Sequence, residues 1–303
     1  MKVILVGLPY FSKELAKNLS LNFPDDTFIS LDTYYSKKDQ IKFLFHIINA
    51  DIVHSINGTL GKSKVLELAM MLKKKIIFHW VGTDLIKSTE LFKKNKHNPK
   101  FISYPTHITD SPWYVEKLAK LGMDARFIAL KGFEKEYKIH DFTQEFNVLC
   151  YISQHRAEYY GIKQIIEIAT QLQQIQFNLV GIESYKEELP PNIKLHGWVD
   201  NINNWIQKAT LCLRLPKTDG LSFFVLESLA YGRYVAYNQD FKYSHKCTTT
   251  DSFVKYIQDK KNSFDNNELT PNTEIAKEIT KVFSATKVLN TIYDLYLNTI
   301  TKK

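Results

Sequence analysis

The chain has 303 residues, 44% of them hydrophobic and 24% charged, the composition of a soluble globular protein with room for two domains of about 150 residues. Its net charge of +8 lies entirely in residues 1–140, which hold 22 Lys+Arg against 14 Asp+Glu, while residues 141–303 hold 18 of each. No apolar run approaches the ~20 residues that span a bilayer, and the opening MKVILVG is too short for a signal peptide and reads as a buried first strand.

The first half alternates short apolar strands with amphipathic stretches. KVILVG (2–7), DTFISL (26–31), ADIVHSI (50–56), KIIFHWV (75–81), KFISY (100–104), THIT (106–109) and ARFIAL (125–130) read as strands. Helices are expected near 12–20, over QIKFLFHIINA (40–50), over KVLELAMMLKK (64–74) and from Ser111-Pro112 to Gly122. This last stretch has an N-cap residue, a proline at the first position and a closing glycine. The Lys-rich segment 86–100 has only weak periodicity. Repeated βαβ units argue for a parallel sheet with helices on both faces.

The polar stretch KGFEKEYKIHDFTQE (131–145) interrupts the pattern and marks a domain boundary, giving domains over 1–140 and 141–280. The alternation restarts with FNVLCYI (146–152), a helix over 161–174, FNLVG (177–181), IKLHGWV (193–199), a helix over 201–208, TLCLRL (210–215) and YVAYN (234–238). Helical segments near 249–259 and 273–298 follow. The fold class is α/β, with two Rossmann-like parallel-sheet domains facing a cleft and a C-terminal helix (281–303) expected to pack back on the first domain. The three cysteines have no metal-ligand spacing. Cys150 and Cys212 lie in apolar runs as inert core thiols, which fits a reducing cytoplasm.

The stretch LPKTDGLSFFVLESLAYGRYVAYN (215–238) carries the chemistry. Leu221, Phe224, Val225, Leu226 and Leu229 have helical spacing, so a helix is expected to open near Gly220. Its first-turn N–H groups would attract an anion, phosphate in particular. Asp219 stands at that end. Glu227 lies about two turns further in, where an acid on an apolar helix needs a partner. A ligand with a diphosphate and several hydroxyls would satisfy all of these groups.

The second half resembles the donor domain of retaining GT-B glycosyltransferases of the family 4 group. The resemblance rests on Asp219 and Glu227, followed by Ala230, Gly232 and YVAYN, and on the order of the elements upstream: FNLVG, IKLHGWVDN, an amphipathic helix and a strand feeding the acidic loop. It implies that Asp219 hydrogen-bonds donor-sugar hydroxyls, that the backbone N–H groups of Gly220, Leu221 and Ser222 meet the diphosphate, and that Glu227 accepts the ribose hydroxyls. Backbone near Trp198 and Val199 would recognise the base. Asp219 as a plain helix cap and Glu227 as a helix-face ion-pair partner are the alternatives. The chain departs from the family in having Asp where the first acid is commonly Glu, and Tyr160 where a phosphate-cradling Lys is usual. The cations for the leaving diphosphate are then Arg156, Arg214 and Lys217. Arg214 has a structural salt bridge as its alternative role.

The first half is by the same resemblance the acceptor domain. In IIFHWVGTDL (76–85), the loop of Gly82, Thr83 and Asp84 follows a strand at its carboxyl edge, and Asp84 either orients an acceptor hydroxyl or caps the next helix. Gly7 and Leu8, His54 and Asn57, and Thr109 and Asp110 stand on neighbouring edges. No metal and no cofactor are expected beyond a nucleotide-diphosphate sugar as co-substrate, because the chain has no Asp-x-Asp and no His/Cys cluster. The partners implied are a nucleotide-sugar donor, a glycan or lipid-linked acceptor and an anionic membrane surface met by the basic first half, the segment around Leu91, Phe92, Lys93, Lys94 and Lys96 in particular. The expected place is the cytoplasm or the inner face of its membrane. The alternatives are a transferase that modifies nucleic acid, for which no aromatic-interleaved basic motif speaks, and an inactive binding protein of the same fold.

Overall fold

The computed structural model describes residues 1–134 and 137–301. Lys135 and Glu136, inside the expected boundary stretch, and Lys302 and Lys303, at the end of the expected terminal helix, lie outside the described residues. The chain divides into two compact units, Met1–Glu134 with Phe283–Lys303, and Lys135–Val282.

In unit 1, β1 (Lys2–Gly7), α1 (Pro9–Asn22), β2 (Thr27–Ser30), α2 (Lys37–His46), β3 (Ile52–Ile56), α3 (Lys64–Met71), β4 (Lys75–Trp80), α4 (Thr83–Lys93), α5 (Lys100–Ser103), β5 (Thr106–Thr109), α6 (Pro112–Ala119) and β6 (Ala125–Phe127) succeed one another. Unit 2 contains β7 (Asn147–Tyr151), α7 (Ile162–Gln171), β8 (Gln176–Val180), β9 (Ile193–Leu195), α8 (Ile202–Lys208), β10 (Leu211–Arg214), α9 (Phe223–Ala230), β11 (Tyr234–Tyr237), β12 (His245–Lys246), α10 (Thr250–Asp265) and α11 (Thr273–Val282); α12 (Ala285–Thr301) returns to unit 1.

Each unit has one sheet of parallel strands, ordered β2-β1-β3-β4-β5-β6 in unit 1 and β12-β11-β10-β7-β8-β9 in unit 2. The central strands are short and apolar because both faces are covered. Val3, Ile4, Leu5, Ile52 and Val53 are fully buried in the first sheet, and Val148, Cys150, Phe177, Leu211 and Cys212 in the second. The strand order reverses between β1 and β3, and again between β10 and β7. In open α/β sheets the carboxyl ends at such reversals are where ligands bind. Those ends are Gly7 and Ile56 in unit 1, and Arg214 and Tyr151 in unit 2.

Four local expectations need correction. KFISY is a helical turn, because Pro99 enters it with helical dihedrals and the Asn98 side chain accepts the Lys100 N–H at 3.1 Å. The Lys-rich segment is helical as far as Lys93, opened by Gly82 at φ 145°, a conformation that L side chains rarely adopt. The terminal helix is broken into α11 and α12 where Phe133 pairs with the chain, its N–H donating to the Phe283 carbonyl and its own carbonyl accepting from Ala285, each at 2.7 Å. The helix expected to open near Gly220 starts at Phe223, with Ser222 at its N-cap. The terminal helix α12 packs on α1, stacking Tyr293 on Phe23 at 3.8 Å between centroids.

Candidate functional site

At the strand reversal of unit 2 stands a buried ion pair. Arg214, the last residue of β10 and 7% exposed, donates from Nε to Asp219 Oδ2 at 2.8 Å and from Nη2 to Asp219 Oδ1 at 3.0 Å. Tyr237, opposite Arg214 on β11, adds its hydroxyl to Asp219 Oδ2 at 3.0 Å and to the Gly220 carbonyl at 3.2 Å. Burial works against the guanidinium charge, but the Asp219 carboxylate outweighs it and holds Arg214 above its ordinary value. The guanidinium lies 4.7 Å from the centre of the Tyr160 ring and 6.0 Å from that of Tyr151. Arg214 Nη1 is buried and has no hydrogen-bond partner among the described residues. A buried charged donor with no acceptor is costly, so it marks a place built for an acceptor oxygen.

The loop from Arg214 to α9 is held at several points. The Lys217 N–H donates to the Tyr159 carbonyl at 2.8 Å, the Tyr159 hydroxyl to the Thr218 carbonyl at 2.7 Å, and Asn238 Nδ2 to the Pro216 carbonyl at 2.6 Å. Gly161, at φ 82°, lets the segment before α7 approach Leu215; a Cβ there would stand 2.6 Å from the Leu215 carbonyl oxygen. The structure thus brings together Arg214, Asp219 and Gly220. Leu221 and Ser222 are half-buried on the path into α9, where Ser222 makes no side-chain cap. Glu227 is half-buried on a helix whose Phe224, Val225, Leu226 and Ser228 are buried.

Arg156 and Lys217 are both exposed, and the Arg156 guanidinium lies over the Tyr159 ring at 4.0 Å. Trp198 is 80% exposed beside the half-buried Val199, after a turn in which Gly197 exchanges hydrogen bonds with Gly181 and Ile182 at the end of β8. Sequence reasoning missed the aromatic wall of Tyr151, Tyr159, Tyr160 and Tyr237. The pair Tyr159-Tyr160 before Gly161 was its one visible signal.

In unit 1 several expected residues have structural work. Asp84, 4% exposed, accepts from the N–H groups of Gly58, Gly82 and Leu85 at 2.7–2.9 Å and from that of Val81 at 3.1 Å. Burial pushes its carboxyl upward against these four amides. Both oxygens are occupied in tying two loops together, from inside the first turn of α4, whose N-cap is Gly82 without a side-chain cap. His54 is no edge residue but fully buried within the sheet, and its Nδ1 meets the Tyr296 hydroxyl at 2.6 Å. Gly7, at φ 104°, faces Ile56 across β1 and β3. Thr109 and Asp110 are buried, with the Thr109 hydroxyl donating to the Trp80 carbonyl, and the Ser111 hydroxyl binds Asp110 instead of capping α6. Thr83 and Asn57 border a cavity of about 770 Å³, and Asn57 holds φ at 116°, rare for a residue with a side chain. Gly82 is buried beside them.

Among the described residues no group of three or more His, Cys, Asp and Glu could hold a metal ion, and no helix is long and apolar enough to cross a membrane.

No family model matches the sequence, and no curated protein is significantly similar to it in sequence. Solved structures are similar in fold. A sucrose-phosphate synthase from Thermosynechococcus elongatus superposes with a TM-score of 0.72 at 10% identity, over 100% of both chains. A glycosyltransferase from Rickettsia africae gives 0.71 at 12% identity, over 100% of this chain and 99% of that one. The lipopolysaccharide outer core galactosyltransferase WaaB, in its apo form, gives 0.67 at 12% identity over 98% and 99%. The two parallel-sheet units are those of the GT-B glycosyltransferase fold.

Proposed function

We propose that the protein is a glycosyltransferase that moves a sugar from a nucleotide-diphosphate sugar to an acceptor, with retention of configuration and without a metal, in glycolipid or surface-polysaccharide synthesis. The observation that carries the reading is the unpartnered, buried Nη1 of Arg214 at the strand reversal of unit 2. A departing diphosphate gains negative charge as its bond to the sugar breaks, and a pre-aimed cation in a dry site stabilises that charge more than the bound donor. Arg214 fills this role, with the exposed Lys217 on the same loop and the exposed Arg156 in the segment before α7. Asp219 and Tyr237 fix the guanidinium, so that no reorganisation is needed when the charge develops. The half-buried Glu227 serves the ribose hydroxyls, and Trp198 and Val199 the base. Retention follows from the resemblance to retaining enzymes: the acceptor attacks on the face the diphosphate leaves, and a phosphate oxygen takes its proton. A lipid-linked acceptor agrees with the basic first half, and a place at the inner face of the cytoplasmic membrane goes with it.

The engagement of both Asp219 oxygens also favours a second reading, a nucleotide-sugar-binding protein without turnover. A panel of UDP-, GDP- and ADP-sugars, assayed in EDTA for donor hydrolysis and by calorimetry for binding, separates the two. Turnover in EDTA supports the transferase, binding without turnover supports the second reading, and absence of both removes the functional assignment.

A further inference from the structure

Helix α2 and the 3-10 turn Ile47–Asn49 that continues it have an apolar side that their own unit leaves uncovered. Ile41, Leu44, Phe45 and Ile48 recur at the spacing of a single helical stripe and are 57, 52, 72 and 64% exposed. Phe43 and Ile47, facing the other way, are buried in the core. Single exposed apolar side chains are ordinary on a protein surface, but four in a row make a contact surface. The stripe continues onto the end of α3, where Met71 and Leu72 are exposed and where Lys74 Nζ donates to the Ile48 carbonyl at 2.7 Å.

The charges flanking this stripe are mainly positive. Lys37, Lys38 and Lys42 stand on α2, and Lys73 and Lys74 follow α3. The acid among them, Asp39, is occupied by the Asp32 N–H at 3.1 Å and by Lys42 at 3.4 Å. Beside the stripe lies the cavity of about 770 Å³, within the range of small-molecule sites. Ile41 and Leu44 belong to both. Four cations, Lys37, Lys62, Lys64 and Lys87, border it, and the acid in its lining, Asp84, is spent on backbone amides.

We propose that this face of unit 1 rests on an anionic lipid bilayer, with the α2 stripe among the headgroups, and that the cavity receives the phosphate-bearing headgroup of one lipid from that bilayer. An interfacial helix needs an apolar side, flanking lysines and no spanning length, and α2 has these. The proposal deepens the lipid-linked-acceptor reading and rests on it only for what the bound lipid is used for. It also moves the contact from the segment that the sequence pointed to. Phe92 packs against the core and the His97 ring, and Leu91 lines the cavity, so neither is offered to a membrane as that reading required.

The test is co-sedimentation of the full chain with vesicles of phosphatidylcholine alone and of phosphatidylcholine with phosphatidylglycerol, at low and high salt. Phe45→Ser with Ile48→Ser removes exposed side chains outside the cavity, and Lys93→Glu with Lys94→Glu and Lys96→Glu serves as the comparison. Salt-sensitive binding to the anionic vesicles is expected, falling about tenfold or more in the α2 variant and less in the comparison variant. Binding that is absent, equal on neutral vesicles, or undiminished in the α2 variant overturns the proposal. For the cavity, a short-chain monomeric phosphatidylglycerol is titrated by calorimetry, with glycerol phosphate as competitor. Weakening by about tenfold in Lys62→Ala with Lys87→Ala, and competition by glycerol phosphate that needs about tenfold or more of it over the lipid, are expected. Equal affinity in that variant, or glycerol phosphate binding as tightly as the lipid, overturns the lipid as occupant. Neither arm uses a nucleotide, so a protein that turns over nucleotide sugars but ignores vesicles loses this inference alone.

Discussion

Arg214 and Asp219 hold each other through two parallel hydrogen bonds at the point where the strand order of unit 2 reverses. The pair closes a ring with Tyr237, so the acid that the sequence offers to a sugar is also the acid that keeps a buried guanidinium charged. Removing one member of a buried pair strands the other charge.

Asp219→Ala is therefore expected to destabilise unit 2 by about 3–5 kcal/mol, beyond any loss of turnover. Replacing both residues together, Arg214→Met with Asp219→Val, should recover most of that stability while abolishing turnover. Thermal unfolding of the three proteins checks this. An Asp219→Ala protein that melts with the wild type would show that the pair has no structural weight.

Glu227→Ala is expected to leave the fold intact and weaken nucleotide binding. The residue is half-buried among the fully buried side chains of α9, so its loss opens little space. A missing charged hydrogen-bond partner corresponds to ~1.5–3 kcal/mol, about a tenfold to hundredfold rise in Kd. Calorimetry with the free nucleotide gives the answer, and an unchanged Kd removes Glu227 from the ribose.

Much of this was legible in the sequence because local pattern and tertiary environment agree. Most strands of both sheets are apolar runs of four to six residues in the order the grammar requires, and the acidic loop falls where β10 meets α9. What escaped was set by distant contacts. Nothing local in 273–298 announces that Phe133 will pair at Phe283 and split the helix. His54 follows an apolar run just as an edge residue does, and only the arrival of Tyr296, far along the chain, shows it to be interior. Asp84 and its four amides come from two loops, so the spacing within GTDL could not decide between orienting an acceptor hydroxyl and capping the next helix, and the tie between loops was outside both. Tyr160 registered only as a missing lysine, and its ring under Arg214 needed the loop geometry to be visible.

Gly7→Ala should destabilise unit 1 whatever it does to activity. A Cβ at that position would lie 2.0 Å from the Ile56 carbonyl oxygen, and φ of +104° is itself unfavourable to a side chain. Strain and forced separation of β1 from β3 together correspond to roughly 2–4 kcal/mol. Denaturant unfolding reads the loss. If the variant is as stable as the parent yet slower in transfer, Gly7 belongs to the acceptor site and not to the sheet.

The last expectation concerns pH. His54 and His79 stack in the core of unit 1 with centroids 5.5 Å apart and planes 6° apart. Burial, and then the neighbouring His79, holds His54 well below its ordinary value. Burial lowers His79 to about 4, opposed by its hydrogen bond to the Ile128 carbonyl. Unfolded, both imidazoles titrate near 6.5. The unfolded chain thus binds protons that the folded chain refuses, so stability is complete above pH ~6.5 and falls as the pH drops towards 4. For His79 alone the loss reaches about 3 kcal/mol across that window. Asp84 acts with the opposite sign, because its raised value lets the folded state keep a proton that the unfolded chain gives up, and it offsets part of the loss at the acid end. Hydrogen exchange at the amides of Ser55 and Phe78, paired in register across β3 and β4, reports the opening of this sheet without interference from unit 2. Protection, corrected for intrinsic exchange, should decline between pH 6.5 and 4.5. It should decline less in His79→Gln, whose amide can still reach the Ile128 carbonyl. A flat profile, or protection that rises on acidification, would mean that these imidazoles are already charged in the folded protein.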